Sequence, residues 1–331
     1  MSLNQHSYAS LLTLKHTFNK GWTFGNSSTD IQSLSHQEGE SETLTIIGQA
    51  LTLNVLFSVQ DTLSAVLDIK SFQFHPLSER FGDCVVVAKV VLHKSEKLSE
   101  LLADVAKAHH IEIALQRQQP KLGEPGLLVM DMDSTVIQIE CIDEIAKLAG
   151  VGEKVSAVTE LAMRGELDFK QSLVARVACL EGVEECKLES IRNAIPLMPG
   201  LSSLVHVLKA NQWNIVIASG GFTYFAEHLR DRLGLDAVKA NILGSERARL
   251  TGKVSGAIVD AESKAQAVFD YATQWNIKDT QTVAMGDGAN DLLMMQAAAL
   301  GVAFHAKPIV QQQADVAIRF GGLHTALYFL A

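Results

Sequence analysis

Apolar and polar positions in the first third of the chain predict a small unit of strands and helices. Residues 51–58 and 82–92 are rich in β-branched residues, which favour strands. Residues 96–109 carry apolar side chains at three- and four-residue spacing, which predicts an amphipathic helix, and residues 111–115 then predict a short strand. Residues 25–42 are polar and have no regular period, so we expect a long loop there. Strands combined with one-sided helices indicate an α+β domain.

The composition changes over residues 117–126, which combine polar residues with two prolines and two glycines. Such a composition is typical of an exposed connection between domains. We therefore predict an α+β domain over residues 1–116, a linker over 117–126 and a second domain over 127–331.

Beyond the linker, short apolar runs alternate with stretches of helical period, the pattern of a parallel sheet with crossover helices. The runs cover residues 127–130, 214–218, 280–285 and 300–303. Between the first two runs, residues 140–197 show helical periods and no convincing strand, which predicts a helical insertion. Because α/β proteins bind ligands at the carboxyl ends of parallel strands, a site is expected in the residues that follow each run.

Acidic residues follow two of these runs. Asp131 and Asp133 come directly after the first run, and Asp287 and Asp291 follow the third. If the two runs are neighbouring strands, four carboxylates converge and raise one another's pKa unless a cation neutralises them. Carboxylate oxygens favour a hard divalent ion, and Mg²⁺ is the natural candidate. The alternative is that each acid is the N-cap of a following helix.

The second run leads into Ser219 and Gly220, the start of an S-G-G-F stretch where we expect a helix to begin. A hydroxyl followed by exposed backbone N–H groups can hold an anion. Lys264 falls early in a helix-like stretch and can bring a positive charge to the same edge of the sheet. The alternatives are an ordinary serine N-cap and a solvated surface lysine.

Four short motifs occur in order along the chain: D-x-D-S-T from Asp131, S-G-G from Ser219, Lys264, and G-D-G-x-N-D after the third run. Together they resemble the four motifs of the haloacid dehalogenase superfamily of phosphohydrolases. The longer matches around Asp131 and Ser219, with E-C-I-D-E-I-A from Glu140, resemble the phosphoserine phosphatase family within it. The resemblance covers residues 126–318.

This resemblance implies an α/β fold, in which a doubly wound parallel sheet, the Rossmann-like core of the superfamily, carries a helical cap at about residues 140–197. It also implies Mg²⁺-dependent hydrolysis of phosphoserine to L-serine and phosphate through an aspartyl-phosphate intermediate, the last step of serine biosynthesis. The first domain is at most similar to small regulatory ACT-like α+β domains. We expect no catalytic role for it.

For the catalytic groups, the resemblance implies that Asp131 is the nucleophile and that Asp133 is the general acid and base. It places Mg²⁺ on the Asp131 carboxylate, the Asp133 backbone carbonyl and the Asp287 carboxylate, with Asp291 supporting from nearby. The phosphoryl oxygens would be bound by Ser219, the Gly220 N–H, Lys264 and Asn290.

Two charged residues of the predicted insertion resemble the ligands of an amino-acid substrate. Glu140 would bind the substrate ammonium, and Arg176 would present a planar fork to its carboxylate. The alternative is ordinary surface ion pairing of both residues.

Composition and charge restrict the classes of partner that we expect the protein to bind. The 331 residues include 28 Lys and Arg against 37 Asp and Glu, a net charge of −9 with no concentrated basic patch, which argues against nucleic acid. Neither a signal peptide nor a long apolar span is evident, so we expect no membrane. Four cysteines without C-x-x-C spacing predict reduced core residues and a cytoplasmic protein. The expected partner is a small-molecule substrate, phosphoserine. A homodimer is also possible, and the sequence does not decide it.

Two other functions stay open from the sequence. A relative of these phosphatases could act on another small phosphate ester, or transfer the phosphoryl group from the aspartate to an alcohol. A signalling module could instead keep the aspartyl-phosphate as a switch. Asp133 argues against a switch, because an acid and base beside the nucleophile shortens the life of the acyl-phosphate.

Overall fold

A computed structural model describes residues 11–15, 21–24, 31–33 and 42–331. Its first sheet has six strands: β1 (Trp22–Phe24), β2 (Ile31–Ser33), β3 (Glu42–Gly48), β4 (Leu67–Phe74), β5 (Cys84–Leu92) and β6 (Glu112–Gln116). Two helices accompany them: α1 (Leu53–Leu63) and α2 (Leu98–His109). Most of the loop predicted over residues 25–42 lies outside the described residues. Its described part holds β2 and the first residue of β3, so the loop prediction is wrong there.

The first sheet is antiparallel throughout, in the order β2-β1-β4-β5-β3-β6. From β3 to β6 the chain runs β-α-β-β-α-β, a ferredoxin-like arrangement that is consistent with the ACT-like resemblance. Apolar side chains of the sheet and both helices form one core, which includes Leu44, Leu56, Phe72 and Val105. The predicted α+β character of this part is confirmed.

One predicted strand is a helix. We predict a strand over residues 51–58, but the helix α1 begins at Leu53. The Thr52 hydroxyl caps its first turn. Leu53, Leu56 and Val59 are buried on one face of α1. Their three-residue spacing places them against the core together, and this periodic burial outweighs the β-branched content of the segment.

The second sheet has seven strands: β7 (Leu127–Met130), β8 (Asn214–Phe222), β9 (Ala237–Glu246), β10 (Arg249–Ser255), β11 (Thr282–Gly286), β12 (Leu300–Phe304) and β13 (Val316–Ile318). Their order is β10-β9-β8-β7-β11-β12-β13, and every pair is parallel except β9 with β10. The four predicted apolar runs are four adjacent strands of this sheet. The sequence did not reveal β9 and β10, because most of their residues are partly or fully exposed.

Four cap helices lie between β7 and β8: α3 (Cys141–Ala149), α4 (Gly152–Met163), α5 (Phe169–Ala178) and α6 (Glu185–Asn193). The remaining α-helices are α7 (Leu201–Ala210), α8 (Thr223–Leu233), α9 (Ala261–Gln274), α10 (Leu292–Ala297) and α11 (Pro308–Gln313). Alternate residues of β7 face opposite cores, since Leu128 and Met130 belong to one cluster and Leu127 and Val129 to another. Helices therefore cover both faces, as the predicted doubly wound fold requires.

Strand β8 is longer than predicted. We expected a helix to begin at Ser219, but β8 continues to Phe222 and α8 begins at Thr223. The pairing of β8 with β9 shifts between Ala218 and Phe222, which marks a bulge. The Ser-Gly-Gly stretch is therefore the irregular end of a strand. The bulge sets the direction of its backbone N–H and carbonyl groups.

Residues 117–126 contain no helix or strand and join the two sheets. Pro120 is buried, and its carbonyl accepts a 2.9 Å hydrogen bond from the Ala331 N–H. The Leu122 N–H donates in turn to the Ala331 carbonyl at 2.9 Å. The connection is thus tied to the carboxyl-terminal residues, and the division into domains at this point stays a prediction.

All four cysteines are unpaired. Cys84 and Cys141 are buried as predicted, Cys179 is half-buried, and Cys186 is exposed, so the prediction of a core position is wrong for Cys186. It lies in the first turn of α6, which buries other positions. Every helix in the described part of the chain is too short or too polar to cross a membrane.

Candidate active site

Strands β7, β8 and β11 end at one edge of the second sheet, beneath cap helices α3 and α5. A cavity of about 280 Å³ lies between the strand ends and the cap. Its wall is formed by Asp131, Asp133, Glu140, Ile142, Phe169, Leu173, Arg176, Ser219, Gly220, Gly221, Phe222, Asp287 and Asn290. The strand-end residues meet here because parallel strands place their carboxyl ends at the same edge.

Asp131 follows β7 directly and is buried, with 6% of its surface exposed. Its backbone N–H donates to the Met285 carbonyl of β11 at 2.9 Å, which continues the ladder beyond the end of β7. Its Oδ1 accepts the Met132 N–H at 2.8 Å and is 3.0 Å from the Lys264 Nζ. Two donors thus fix one oxygen and orient the carboxylate.

Asp133 lies on the turn after β7, where the Cys141 N–H donates weakly to its Oδ1 at 3.4 Å. Burial, then the Glu140 and Asp131 charges, raise the pKa of Asp133 well above its ordinary value. Gly221 leaves the room that this carboxyl needs, since a Cβ there would lie 3.0 Å from the Asp133 Oδ2. A carboxyl that keeps its proton can act as a general acid.

Lys264, in the first turn of α9, is 1% exposed and joins two carboxylates. Its Nζ lies 3.0 Å from the Asp131 Oδ1 and 2.7 Å from the Asp291 Oδ1. Burial lowers the pKa of Lys264, but the Asp131 and Asp291 carboxylates raise it by more, so the ammonium stays charged. The lysine therefore compensates part of the negative charge beneath the cavity.

Three carboxylates form the acidic cluster of the site. One oxygen from each of Asp131, Asp287 and Asp291 lies within 4.8 Å of the others. Burial, then the Asp131 charge, raise the pKa of Asp287 to about 6, and the same causes raise the pKa of Asp291. The Thr135 hydroxyl orients Asp287 by donating to its Oδ1 at 3.0 Å. An all-oxygen donor set with this repulsion fits a hard divalent cation.

The bulged end of β8 forms the opposite wall. The Ser219 Oγ accepts the Gly221 N–H at 2.9 Å, and the Gly220 carbonyl accepts the Asn241 Nδ2 at 2.8 Å. Asn241, fully buried on β9, also accepts the Val259 N–H at 2.8 Å through its Oδ1. The asparagine thereby fixes the bulge from behind and sets the direction of its peptide groups.

The cap contributes the charges that face the strand ends. Glu140 precedes α3, and its Oε1 accepts the Ser134 hydroxyl at 2.8 Å. Desolvation raises the pKa of Glu140, which the Ser134 bond and the Arg176 charge partly oppose. Arg176 of α5 is half-buried, and its Nε has no hydrogen-bond partner among the described residues. Phe169 covers Gly220 so closely that a Cβ there would lie 2.8 Å from its ring.

The structure brings most of the predicted site residues into one wall: Asp131, Asp133, Glu140, Arg176, Ser219, Gly220, Asp287 and Asn290. Lys264 and Asp291 are not among the lining residues and lie behind Asp131. The individual roles assigned to all ten residues stay predictions.

Sequence reasoning missed Thr135 and Asn241. Thr135 stands inside the D-x-D-S-T motif, so its place in the motif was a usable signal. Asn241 carried no signal, since it lies on β9, a strand that the apolar pattern did not predict.

The part of the chain that matches a known protein family contains the residues of the site. A family model for haloacid dehalogenase-like hydrolases matches residues 128–296. A phosphoserine phosphatase of Vibrio cholerae is 53% identical over 219 residues, which are 66% of this chain and 67% of that protein.

Solved structures show the same relationship. The unliganded crystal structure of a probable phosphoserine phosphatase from Vibrio cholerae has a TM-score of 0.72 at 43% identity, and the match covers 87% of this chain and 86% of that chain. A substrate-bound phosphoserine phosphatase complex has a TM-score of 0.59 at 36% identity, over 63% of this chain and 99% of that chain.

Proposed function

The chain belongs to the haloacid dehalogenase-like hydrolases, within them to the phosphoserine phosphatases, and we propose that the cavity at the strand ends hydrolyses phosphoserine to serine and phosphate. One observation carries the proposal. A carboxylate pair at the end of β7 shares a single cavity with an acid of the cap and with an arginine whose Nε has no hydrogen-bond partner among the described residues. The first pair suits phosphoryl transfer, and the second pair suits the two charges of an amino acid.

Asp131 is proposed as the nucleophile. Because Oδ1 is held by the Met132 N–H and Lys264, the other oxygen, Oδ2, is left to attack phosphorus. The new Oδ2–P bond forms as the bond from phosphorus to the serine oxygen breaks. Asp133, whose pKa is raised by burial and neighbouring carboxylates, gives its proton to the leaving serine oxygen.

The second displacement returns the enzyme to its starting state. A water attacks phosphorus while Asp133, now a carboxylate, accepts the water's proton. The Oδ2–P bond breaks, inorganic phosphate leaves, and the Asp131 carboxylate is restored. Ser219, the Gly220 N–H and Asn290, which line the same cavity, are proposed to bind the phosphoryl oxygens, and Lys264 is proposed to support them from behind Asp131.

We propose that the acidic cluster holds Mg²⁺, which supplies charge neutralisation so that an anionic ester can approach an anionic nucleophile. The Asp131 and Asp287 carboxylates and the Asp133 backbone carbonyl are the proposed ligands. Asp291 is already bonded to Lys264 and the Gly288 N–H, which suits a supporting position.

Substrate choice is proposed to lie in the cap. Arg176 presents an Nε that has no partner among the described residues, so a substrate carboxylate would satisfy a donor that folding leaves unpaired. Glu140 is proposed to receive the substrate ammonium. An ester without a carboxylate leaves the Arg176 Nε unpaired, and an ester without an ammonium leaves the Glu140 charge without a counter-charge from the substrate. A role in serine biosynthesis would place the enzyme in the cytoplasm.

Phosphate release from a panel of esters tests the function. With Mg²⁺, kcat/KM for phosphoserine should exceed that for phosphoethanolamine, phospholactate and p-nitrophenyl phosphate. Rapid acid quenching should trap a phosphorylated protein in the wild type and none in Asp131→Asn. A higher kcat/KM for another ester would refute the substrate assignment. Phosphate transfer to added homoserine, in place of release, would indicate a phosphotransferase.

A further inference from the structure

A second cavity, of about 330 Å³, lies where the first sheet meets the carboxyl-terminal residues. It shares no lining residue with the active site. One side comes from the end of β3 and the residues around β6, and the other from Phe320, Gly321 and Thr325. The wall therefore combines residues of the first sheet and its helices with residues that follow β13, and it forms only when these parts of the chain are in contact.

Glu112 at the start of β6 is one of the polar residues that line this cavity. It is 3% exposed, and its Oε1 accepts three backbone N–H groups, from Arg319 at 2.8 Å, Phe320 at 2.6 Å and Gly321 at 2.9 Å. Its other oxygen, Oε2, is buried and has no hydrogen-bond partner among the described residues. A carboxylate oxygen left in this state is costly unless a donor reaches it.

Thr325 supplies a second unpaired group in the same wall. The residue is 1% exposed, and its Oγ1 has no hydrogen-bond partner in the part of the chain that the structure describes. Gly321 lies directly against this hydroxyl, and a Cβ at that position would collide with it. Thr325 can therefore keep this position only because residue 321 has no side chain.

The carboxylates that line the cavity favour a cationic ligand, although the Arg319 guanidinium, which is not in the lining, also attracts Glu112. Two carboxylates line it, Glu112 and Asp83, while no lysine or arginine is among its described lining residues. Asp83 accepts hydrogen bonds from the His324 Nε2 and the Tyr328 hydroxyl, both at 3.0 Å and both through its Oδ2, whereas the Glu112 Oε2 is buried with no partner among the described residues. His109 and His110 also line the cavity, at the end of α2.

Apolar side chains complete the wall, among them Ile47, Val55 and Phe320. An anionic ligand would meet repulsion from the carboxylates. A fully hydrated metal ion would gain nothing from the apolar part of the wall. A molecule with a cationic donor at one end and a short apolar body matches both parts.

We propose that this cavity binds a small primary ammonium compound, whose N–H groups bond the Glu112 Oε2 and the Thr325 Oγ1 while its apolar part contacts Val55 and Phe320. Glu112 also holds the backbone of residues 319–321, so the ligand strengthens the contact between the two parts of the chain. This site is separate from the proposed active site and does not depend on it.

Three probes of equal chain length test the proposal on the full chain at pH 7.5: n-butylammonium, 1-butanol and butyrate. Calorimetry and saturation-transfer NMR should show saturable binding of n-butylammonium at millimolar concentrations, weaker binding of butanol and none of butyrate. Comparable affinity for all three probes would overturn the assignment, because the carboxylate would then have no effect. No saturable n-butylammonium binding would overturn it as well.

Matched carboxylate-to-amide variants locate the bound probe. Glu112→Gln keeps an oxygen for the three backbone N–H groups and removes the charge, so we expect at least a tenfold weaker affinity. Glu140→Gln removes a carboxylate from the active-site cavity and should leave the affinity unchanged. The reverse pattern, with loss only in Glu140→Gln, would place the probe in the active site and refute the proposal.

A second pair of variants covers the case in which Glu112→Gln does not fold. Thr325→Val removes the hydroxyl with little change in volume and should weaken n-butylammonium binding several-fold. Thr325→Ser keeps the hydroxyl and should bind as the wild type does. Equal affinity in Thr325→Val and Thr325→Ser would contradict the role of the hydroxyl.

Discussion

At the residue scale, the cavity depends on side chains that hold other groups in place. Lys264 and the Met132 N–H fix one oxygen of Asp131, and Asn241 fixes the Gly220 carbonyl. These contacts cost no rearrangement when the substrate arrives, which is how preorganised polar groups contribute to catalysis.

Asn241→Leu tests that positioning. The change leaves the Gly220 carbonyl and the Val259 N–H unpartnered and frees the bulge. We expect kcat to fall about tenfold to a hundredfold with a smaller change in KM, measured by steady-state phosphate release. Asn211→Leu is the control, since the Asn211 side chain bonds only the Val207 carbonyl in the described structure, at the end of α7. Equal losses in both variants would indicate general destabilisation.

Arg176→Ala tests substrate recognition. The variant removes the donor proposed for the substrate carboxylate, so kcat/KM for phosphoserine should fall about tenfold to a hundredfold. Phosphoethanolamine has no carboxylate, and its kcat/KM should change little. Arg164→Ala removes an exposed cap arginine that pairs with Glu160, and it should affect neither substrate. Equal losses for the two substrates would contradict the assignment.

At the element scale, helix α5 connects the cap to the sheet. A capping box between Asp168 and Gln171 starts the helix beside Phe169, which covers Gly220. Lys170 then reaches Asp260, the N-cap of α9, at 2.7 Å. The Lys170 ammonium, then the bonds from Ser263, lower the pKa of Asp260. One helix thus joins the cap to the element that carries Lys264.

Lys170→Met should loosen this contact between cap and sheet. Because the lysine is exposed, we expect about a twofold to fivefold rise in KM and little change in melting temperature. Raising the salt concentration should move the wild type toward the variant. Lys278→Met breaks an exposed ion pair with Glu124 outside the cap and serves as control. A salt response that is the same in Lys170→Met and wild type would count against the contact.

At the scale of the whole molecule, the first sheet is docked on the carboxyl-terminal residues through buried polar contacts. Besides Glu112 and Asp83, the Gln116 Nε2 donates to the Phe329 carbonyl at 3.1 Å. The His75 Nδ1 accepts the Leu77 N–H at 3.1 Å, so its Nε2 carries the proton and points to the Leu330 carbonyl at 3.4 Å. The bonds to the Phe329 and Leu330 carbonyls join segments that are more than 200 residues apart.

His75 gives this contact a pH dependence. Burial lowers the pKa of His75 below its ordinary 6.5, while the Leu330 bond opposes the shift. The unfolded chain therefore binds a proton more readily than the folded chain, and the stability from neutral His75 is lost as pH falls below about 6.5.

His75→Asn keeps an acceptor for the Leu77 N–H and removes the titration. We expect the wild type to be more stable at pH 7.5, and the difference in unfolding free energy to shrink between pH 7 and pH 5, as measured by urea denaturation. A difference that stays constant over this range would contradict the role of His75.

The sequence by itself determined the strand ends of the site, because local patterns specify them. Each apolar run forms a buried strand, and the acids and small residues that follow it stand at the sheet edge wherever the strands are parallel. Asp131, Asp133 and Asp287 could therefore be placed at this edge from the sequence alone. The helical insertion followed from its apolar period in the same way.

Only the tertiary structure decided the contacts between distant segments. The pairing of Lys264 with Asp131 and Asp291, the hold of Asn241 on Gly220, and the cavity around Glu112 join residues far apart in the chain. Side-chain hydrogen bonds and ion pairs produce no periodic pattern in the sequence. From the sequence alone, a buried polar residue that makes such a contact cannot be distinguished from a polar residue at the surface. Their partners are set by how the sheets, the cap and the carboxyl-terminal residues pack.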